Sequence, residues 1–486
     1  MTVSVLAGLA MQSGAIAAVH VGVRGQWTRR PGALLLAVAV LFHGTTELMQ
    51  SIWPGRNFFR AYVDQQDIDD WMLLVSASIL LYSAAYLLGI HLWQRFAAQE
   101  RLAAQAPGDG RGLTSLRLRW LLPLTLPLLV ATWQGRGALQ PVAPLQAAQE
   151  GQDERAGLLA ALAGGFLVPL IAVIGATIMV RYGARWLVPV LAVEGLALAV
   201  AGTRSMIVFA VLLTLVGAAL HGVRPTRRQV AGIVLVVAAF CALISSTRAV
   251  AGREVFDANQ KAGDRIQALV DGGSSIHTER SRSAILDDLV YRFDGNTFGA
   301  AIFNGLQGNT PPVGLVTVRH NLMMLTPSIV NSDKVAANDL KVRSEEAYLD
   351  AEFGLSQYVD WLPTIFGTVV AYDGWPGLLL VAAVLGALLA TVEGWALAKF
   401  TTARVVLLVG LAHCALLYES GPQMVLTTLR LTPVLVVGLA AVGWIRQRWP
   451  RRDQPARPAT SGPGAVTPES VQVAGPAQEA PVPGAR

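Results

Sequence analysis

Hydrophobic residues in this chain are concentrated in long runs separated by short polar segments. The runs are about 18–24 residues long, which is the length that an α-helix needs to cross a bilayer. We predict eleven membrane-spanning helices at roughly 2–22, 32–52, 71–93, 118–134, 157–180, 186–201, 205–221, 229–247, 376–398, 404–419 and 425–445. The fourth of these runs is short and contains Pro123 and Pro127. The pattern therefore predicts an all-α, polytopic membrane helix bundle.

One long segment, from about residue 248 to about residue 375, interrupts the regular alternation of runs and short loops. Residues 281–306 have apolar side chains at roughly helical spacing, which predicts an amphipathic helix on the membrane or against the bundle: Ile285, Leu286, Leu289, Phe293 and Phe298. The run LPTIFGTVVAY is too short to cross a bilayer and lies between Pro363 and Gly374. It predicts a short re-entrant or interfacial helix.

These features divide the chain into four parts. Residues 1–247 carry the first eight predicted spans, 248–375 form one large loop, and 376–448 carry the last three spans. The final part, 449–486, is rich in proline, alanine and glycine, and we predict that it is disordered.

Composition and charge place the chain in a membrane and orient it. With 53% hydrophobic and 14% charged residues among 486, the chain is too apolar for an ordinary soluble protein. Arginine and lysine are frequent in alternate short loops and sparse in the others, which predicts an external N-terminus, a cytoplasmic C-terminus and an extracytoplasmic 248–375 loop. We read the net charge of +6 as a topology signal, with no nucleic-acid partner. Cys241 and Cys414 fall within predicted spans, where a packing role is favoured over a disulfide.

Several arginines lie on the predicted outer side, which is otherwise poor in basic residues. Arg204 occupies the tight turn AGTRSM between two apolar runs, and Arg248 stands where the long loop begins. The loop adds four more: Arg280, Arg282, Arg292 and Arg319. An arginine at a membrane boundary can simply extend to the lipid headgroups. Because a guanidinium grips phosphate oxygens through two hydrogen bonds and keeps its charge at any working pH, we predict instead that these arginines hold a diphosphate.

Two short motifs carry a family resemblance. The first is Gly202-Thr203-Arg204 at the start of a mid-chain span, and the second is the glycine-rich ending formed by Pro363, Gly367, Tyr372, Gly374, Gly377 and Gly386. With the large late loop, residues 185–395 resemble the O-antigen polymerase (Wzy-like) family of bacterial membrane glycosyltransferases. Thr368 departs from the pattern, since many members have a glutamate soon after that glycine.

The resemblance implies an enzyme of the bacterial cytoplasmic membrane that polymerises oligosaccharide repeat units on the outer face, for surface polysaccharide synthesis. The donor would be a chain on polyprenyl diphosphate, and a flippase and a chain-length regulator would be partners. The arginines would stabilise the departing diphosphate without a metal or any other cofactor.

A base must take the proton from the attacking hydroxyl. We name His320, Glu346 and the intramembrane Glu47 as candidates for this catalytic role. Other loop candidates remain open, namely His277, Glu345, Asp350 and Glu352.

Three alternatives remain open from the sequence. A ligase that moves a finished glycan from the same carrier would use the same arginines. A transporter or flippase of the lipid-linked glycan would show repeats and broken helices at the midplane. A glycosyltransferase of another membrane architecture would use an acidic first-loop site, for which Asp67, Asp69 and Asp70 are the candidates.

Overall fold

The computed structural model shows a helical membrane protein. It describes residues 1–55, 57–103, 118–133, 154–200, 202, 204–223, 225–252, 254–256, 262–314, 318–319, 345–355, 362–398, 401–423 and isolated positions from 425 to 438. Over these ranges the regular structure is helical, as the hydrophobic pattern predicts. The predicted tail at 449–486 lies outside these ranges.

The helices are numbered here in chain order. They are α1 (Val3–Gly22), α2 (Pro31–Ile52), α3 (Gln65–Ala103), α4 (Leu118–Trp133), α5 (Glu154–Tyr182), α6 (Leu187–Ala199), α7 (Arg204–Leu220), α8 (Arg227–Ala251), α9 (Ala262–Ser274), α10 (Glu279–Arg292), α11 (Asn296–Gln307), α12 (Glu345–Glu352), α13 (Ile365–Ala398) and α14 (Thr402–Leu416). Within α2, Leu41–Thr45 form a π-helical turn. A short 3₁₀ segment, Leu417–Ser420, follows α14.

Six helical segments of the described residues are long and apolar enough to cross a membrane. They are Val3–Gly22, Pro31–Ile52, Gln65–Phe96, Arg227–Ala251, Ile365–Ala398 and Ala403–Gln423. Leu380, Val384 and Leu388 are each more than half exposed on α13. Because residues four apart share one face of a helix, these side chains form an apolar stripe of the kind that faces lipid.

The remaining predicted spans coincide with shorter or partly described helices. Proline-containing α4 has 16 residues, α6 has 13 and α7 has 17, and Phe166–Tyr182 is the apolar stretch of α5 whose side chains are described. The last predicted span, 425–445, lies largely outside the described residues. The count of eleven spans therefore stays a prediction.

The close packing of α13 on α3 explains one residue of the glycine-rich motif, Gly386. A Cβ placed on Gly386 would lie 2.4 Å from the carbonyl oxygen of Tyr82. Only a residue without a side chain lets the two backbones approach this closely, as small residues do between membrane helices.

The amphipathic pattern over 281–306 predicts one helix, and this prediction is wrong in detail. The structure has two, α10 and α11, separated by a break at Phe293–Gly295. The carboxylate of Asp294 ends the continuous helix by accepting hydrogen bonds from the backbone N–H groups of Asn296 (3.0 Å) and Thr297 (3.1 Å). An Asp side chain that satisfies these first N–H groups starts a new helix at this point.

A second break lies inside α13. Asp373 and Gly374 have non-helical backbone angles, and Gly374 has φ +66°. The helix before the break, Ile365–Tyr372, is buried throughout. This short helix coincides with the run that is too short to cross a membrane, and Gly374 ends it as the sequence indicates.

The buried carboxylate of Glu393 joins three helices near the first residues of α2. Glu393 is fully buried and accepts hydrogen bonds from the backbone N–H of Gly32 and from the hydroxyl of Tyr86, the latter at 2.6 Å. The guanidinium of Arg30 lies 3.7 Å away. The carboxylate therefore caps the N-terminus of α2 and ties it to α3 and α13.

Candidate substrate site

The turn between α6 and α7 presents the first predicted arginine. Gly202 has φ +75°, a left-handed conformation that favours glycine. A Cβ at this position would lie 2.1 Å from the ring of Phe256. The turn therefore needs a glycine both for its backbone angle and for the aromatic side chain packed against it.

Arg204 begins α7 directly after this turn and is partly buried. Its Nη1 donates a 2.7 Å hydrogen bond to Ser245 Oγ on α8. It also hydrogen bonds with the side chain of Tyr291 and lies near enough to Arg292 for the two positive charges to interact. The side chain is thus held among α7, α8 and α10, and contacts within the protein fix its direction.

Arg248 and Arg292 complete a group around the same turn. Arg248, in the last turn of α8, donates a 2.8 Å hydrogen bond to the carbonyl of Gly202, and its guanidinium lies 5.9 Å from the centre of the Phe256 ring. Arg292 ends α10 and lies 5.3 Å from the centre of the Tyr291 ring. We call Arg204, Arg248 and Arg292 the arginine group.

A buried arginine that sequence reasoning missed adjoins this group. Arg265 of α9 is only 2% exposed and points toward the carbonyls of Val200 (3.5 Å) and Thr132 (3.4 Å). Its spacing along α9 is the sequence feature that could have indicated its burial. The buried positions of the described part of this helix are Arg265, Ala268, Leu269 and Gly272. Spacings of three and four residues place Arg265 on the apolar face of that helix.

The other predicted residues do not join the arginine group in the described structure. Arg280 and Arg282 are exposed on α10, and Arg319 is exposed in the short segment 318–319. His320 lies outside the described residues, as does the side chain of Glu346. Their assignment to the site stays a prediction.

Glu47 lies in a buried polar network next to the arginine group. Its side chain is 5% exposed, and its Oε1 accepts a 2.7 Å hydrogen bond from Asn296 Nδ2. The same oxygen forms an ion pair with Arg60. Residues of α2, of the segment after it and of α11 therefore converge on one carboxylate oxygen.

His43 stands one turn before Glu47, in the π-helical turn of α2, and is fully buried. Its Nδ1 lies 2.7 Å from Asn296 Oδ1, and its Nε2 lies 2.7 Å from the hydroxyl of Tyr418. Since the amide nitrogen of Asn296 donates to the His43 carbonyl and to Glu47, its oxygen faces the ring. An amide oxygen only accepts, so His43 carries its proton on Nδ1, and Nε2 accepts from Tyr418.

The network is joined to the arginine group by the break between α10 and α11. Thr46 donates a hydrogen bond to the carbonyl of Phe293, and the N–H of Gly295 donates to the carbonyl of Phe42 at 3.1 Å. Asn57 and Thr297 both donate to the Asp294 carboxylate. Because Phe293 follows Arg292 and Thr46 precedes Glu47, this contact brings the two charged residues to one region.

Of the loop acids named above as candidate bases, two are described with their side chains buried. Glu345 accepts hydrogen bonds from the Tyr372 hydroxyl and from the backbone N–H of Gln423, the latter at 3.1 Å. Asp350 is 8% exposed, and burial raises its pKa to about 6. Glu345 thus links Tyr372 to the segment after α14, whereas Asp350 is half protonated near pH 6.

The acidic alternative site, Asp67, Asp69 and Asp70, lies at the start of α3. Each carboxylate accepts a hydrogen bond from an amide side chain: Asp67 from Asn304 (2.8 Å), Asp69 from Gln65 (2.8 Å) and Asp70 from Gln66 (3.1 Å). Asp69 is only 5% exposed, and Asp67 and Asp70 are partly buried, so each of the three acids already has a partner within the protein.

Both cysteines are free thiols, Cys414 buried and Cys241 partly buried.

No protein-family model matches the chain, and comparison with curated proteins and with solved structures returned no match. The family resemblance therefore rests on the residues quoted above, and function has to be argued from the geometry of the site.

Proposed function

We propose that the chain is a membrane glycosyltransferase that polymerises lipid-linked oligosaccharide repeat units. The observation that supports this is the arginine group, which lies around the Gly202 turn. Arg204 is at the start of its helix, and Arg248 and Arg292 are in the last turns of theirs. Guanidinium groups repel one another, and a bound anion with two phosphates offsets that repulsion. A polyprenyl diphosphate is such an anion, and its chain matches a site within a membrane bundle.

The proposed chemistry follows from this placement. Charge develops on the diphosphate as the bond to the sugar breaks, and donors already held in place stabilise that charge most effectively. Ser245, Tyr291 and the Gly202 carbonyl hold two of the three guanidinium groups before substrate binds. We also propose that the enzyme acts at the outer face of a bacterial cytoplasmic membrane, with a flippase and a chain-length regulator as partners.

The experiment is complementation of the source organism after deletion of this gene, with the surface polysaccharide resolved by size. Loss of the gene is expected to leave single-repeat glycan, because units reach the outer face but are not joined. Full-length polymer retained on its carrier would instead indicate the ligase, and lipid-linked units trapped inside would indicate a flippase.

A matched set of arginine variants tests the site itself. Arg204→Ala and Arg204→Lys are both expected to abolish polymer, because a single ammonium does not replace a two-pronged guanidinium. Arg228→Ala, which removes an exposed arginine from the first turn of α8, is the control. Normal polymer from Arg204→Ala at normal protein levels would contradict the assignment of the diphosphate to Arg204.

A further inference from the structure

The two carboxylate oxygens of Glu47 have different surroundings. Oε1 accepts from Asn296 and pairs with Arg60, whereas Oε2 has no hydrogen bond to any residue that the structure describes. A carboxylate fixed through one oxygen keeps the other for an incoming group. Glu47 therefore has the arrangement expected of a positioned proton acceptor.

A chain of buried hydrogen bonds fixes the direction of this carboxylate. The hydroxyl of Tyr418 donates to His43, His43 donates to Asn296, and Asn296 donates to Glu47. Every donor in this chain has its acceptor, so rotation of any member would break a buried hydrogen bond at a cost of about 1–3 kcal/mol. The π-helical turn that carries His43 is a feature often found at functional sites.

The position of Glu47 relative to the arginine group suits a transfer reaction. Thr46 of α2 donates a hydrogen bond to the carbonyl of Phe293, which directly follows α10. Glu47 is the neighbour of Thr46 in the chain and Arg292 is the neighbour of Phe293, so this contact holds both charged residues in one region. A base for the acceptor hydroxyl has to lie near the departing diphosphate, because both groups act on the same anomeric carbon.

We propose, on the basis of the proposed function, that Glu47 is the general base of this transfer, acting through Oε2. His43, Asn296 and Arg60 are its positioning residues. Glu47 takes the proton of the acceptor hydroxyl as that oxygen bonds to the anomeric carbon of the donor. The bond from that carbon to the diphosphate oxygen breaks with its electron pair, the polyprenyl diphosphate leaves on the arginine group, and the proton on Glu47 passes to water.

The test separates binding from transfer in the full-length chain. Glu47→Gln keeps the shape of the side chain and an oxygen for Asn296 and Arg60, but it cannot accept the proton. Its dissociation constant for undecaprenyl diphosphate, measured in lipid nanodiscs, is expected to equal that of the wild type. Its rate of polymer formation in the complemented organism is expected to fall by about 10²–10⁴-fold.

Glu194→Gln is the matched control, since Glu194 is another buried carboxylate, 6% exposed, whose oxygens both accept from Thr214 at 3.1 Å. It should make normal polymer. Glu47→Ala is the second variant, because it leaves space for a small carboxylate, and added formate is expected to raise its rate. A structural role for Glu47 would not respond to formate.

Wild-type amounts of polymer from Glu47→Gln would contradict the assignment of Glu47 as the general base. Loss of undecaprenyl diphosphate binding in that variant would contradict it as well. Failure of both Glu47 variants to accumulate in the membrane would assign Glu47 to folding and overturn it as well. If the wild type does not bind undecaprenyl diphosphate at all, the proposed function fails. If the wild type binds and Arg204→Ala does not, the proposed function stands whatever Glu47 does.

Discussion

The ring of His43 accepts a 2.7 Å hydrogen bond from the hydroxyl of Tyr418, 375 residues later in the chain. Both side chains are fully buried. The contact joins the π-helical turn of α2 to the segment that follows α14. It therefore connects the first and last parts of the described bundle at the candidate site.

Tyr418→Phe tests the stability that this contact provides. The variant leaves His43 Nε2 buried without a donor, which is expected to cost about 1–3 kcal/mol. The measurement is the melting temperature of the purified protein in detergent. Tyr182→Phe, which removes a hydroxyl from a residue that is 54% exposed, should melt with the wild type. Equal melting of both variants would show that the buried hydrogen bond contributes nothing.

Gly202→Ala is expected to disturb the arginine group. A left-handed backbone costs roughly 1–2 kcal/mol for a residue with a side chain. The new Cβ would also meet the ring of Phe256 at 2.1 Å, so the turn has to shift and carry Arg204 with it. The expected result is weaker binding of undecaprenyl diphosphate, measured in nanodiscs.

Gly183→Ala is the matched control for backbone strain alone. Gly183 also has positive φ, +92°, but a Cβ there would have no atom within 4 Å. The Gly202→Ala, Phe256→Ala double variant removes the clash and should recover part of the binding. If Gly183→Ala weakens binding as much as Gly202→Ala, the effect does not come from the arginine turn.

Asp350 predicts a specific pH dependence. Burial raises its pKa from 3.8 to about 6, so the folded protein binds a proton between these values that the unfolded chain has released. The contribution of Asp350 to the free energy of unfolding is therefore expected to decrease as the pH rises from about 4 to about 6. Above about pH 6 this contribution should no longer change.

Asp350→Asn should remove that part of the pH dependence. Relative to the wild type, the variant is expected to gain melting temperature between pH 4 and pH 7, because an amide does not ionise. Asp271→Asn, at an exposed position, should follow the wild type at every pH. A constant difference between Asp350→Asn and the wild type across this range would rule out the titration of Asp350.

Cysteine labelling tests the predicted orientation. In a chain with Cys241 and Cys414 replaced, Asp271→Cys should react with a membrane-impermeant maleimide in intact cells, because the long loop is predicted to be external. Arg228→Cys should react only after permeabilisation. Both positions are exposed, so access to the reagent depends on the side of the membrane alone. The opposite pattern would invert the topology.

The helices could be predicted from the sequence because hydropathy and helix geometry are local properties. Runs of apolar residues determine that the chain is a helical membrane protein, and Gly374 marks the break in α13 because glycine tolerates φ +66°. The same local reading merged α10 and α11. It counted apolar spacing but not the capping of α11 by Asp294.

The composition of the site was decided by tertiary structure. The sequence singles out the arginines of the predicted outer side, but only packing brings Arg292 to Arg204 while Arg280 and Arg282 face outward on the same helix. Likewise, Glu47 is visible in the sequence as an intramembrane acid, whereas Asn296, its partner 249 residues away, is an ordinary loop residue. The physical reason is that a buried charge is stable only where distant segments supply its hydrogen bonds, and such pairings between distant segments leave no periodic signal along the chain.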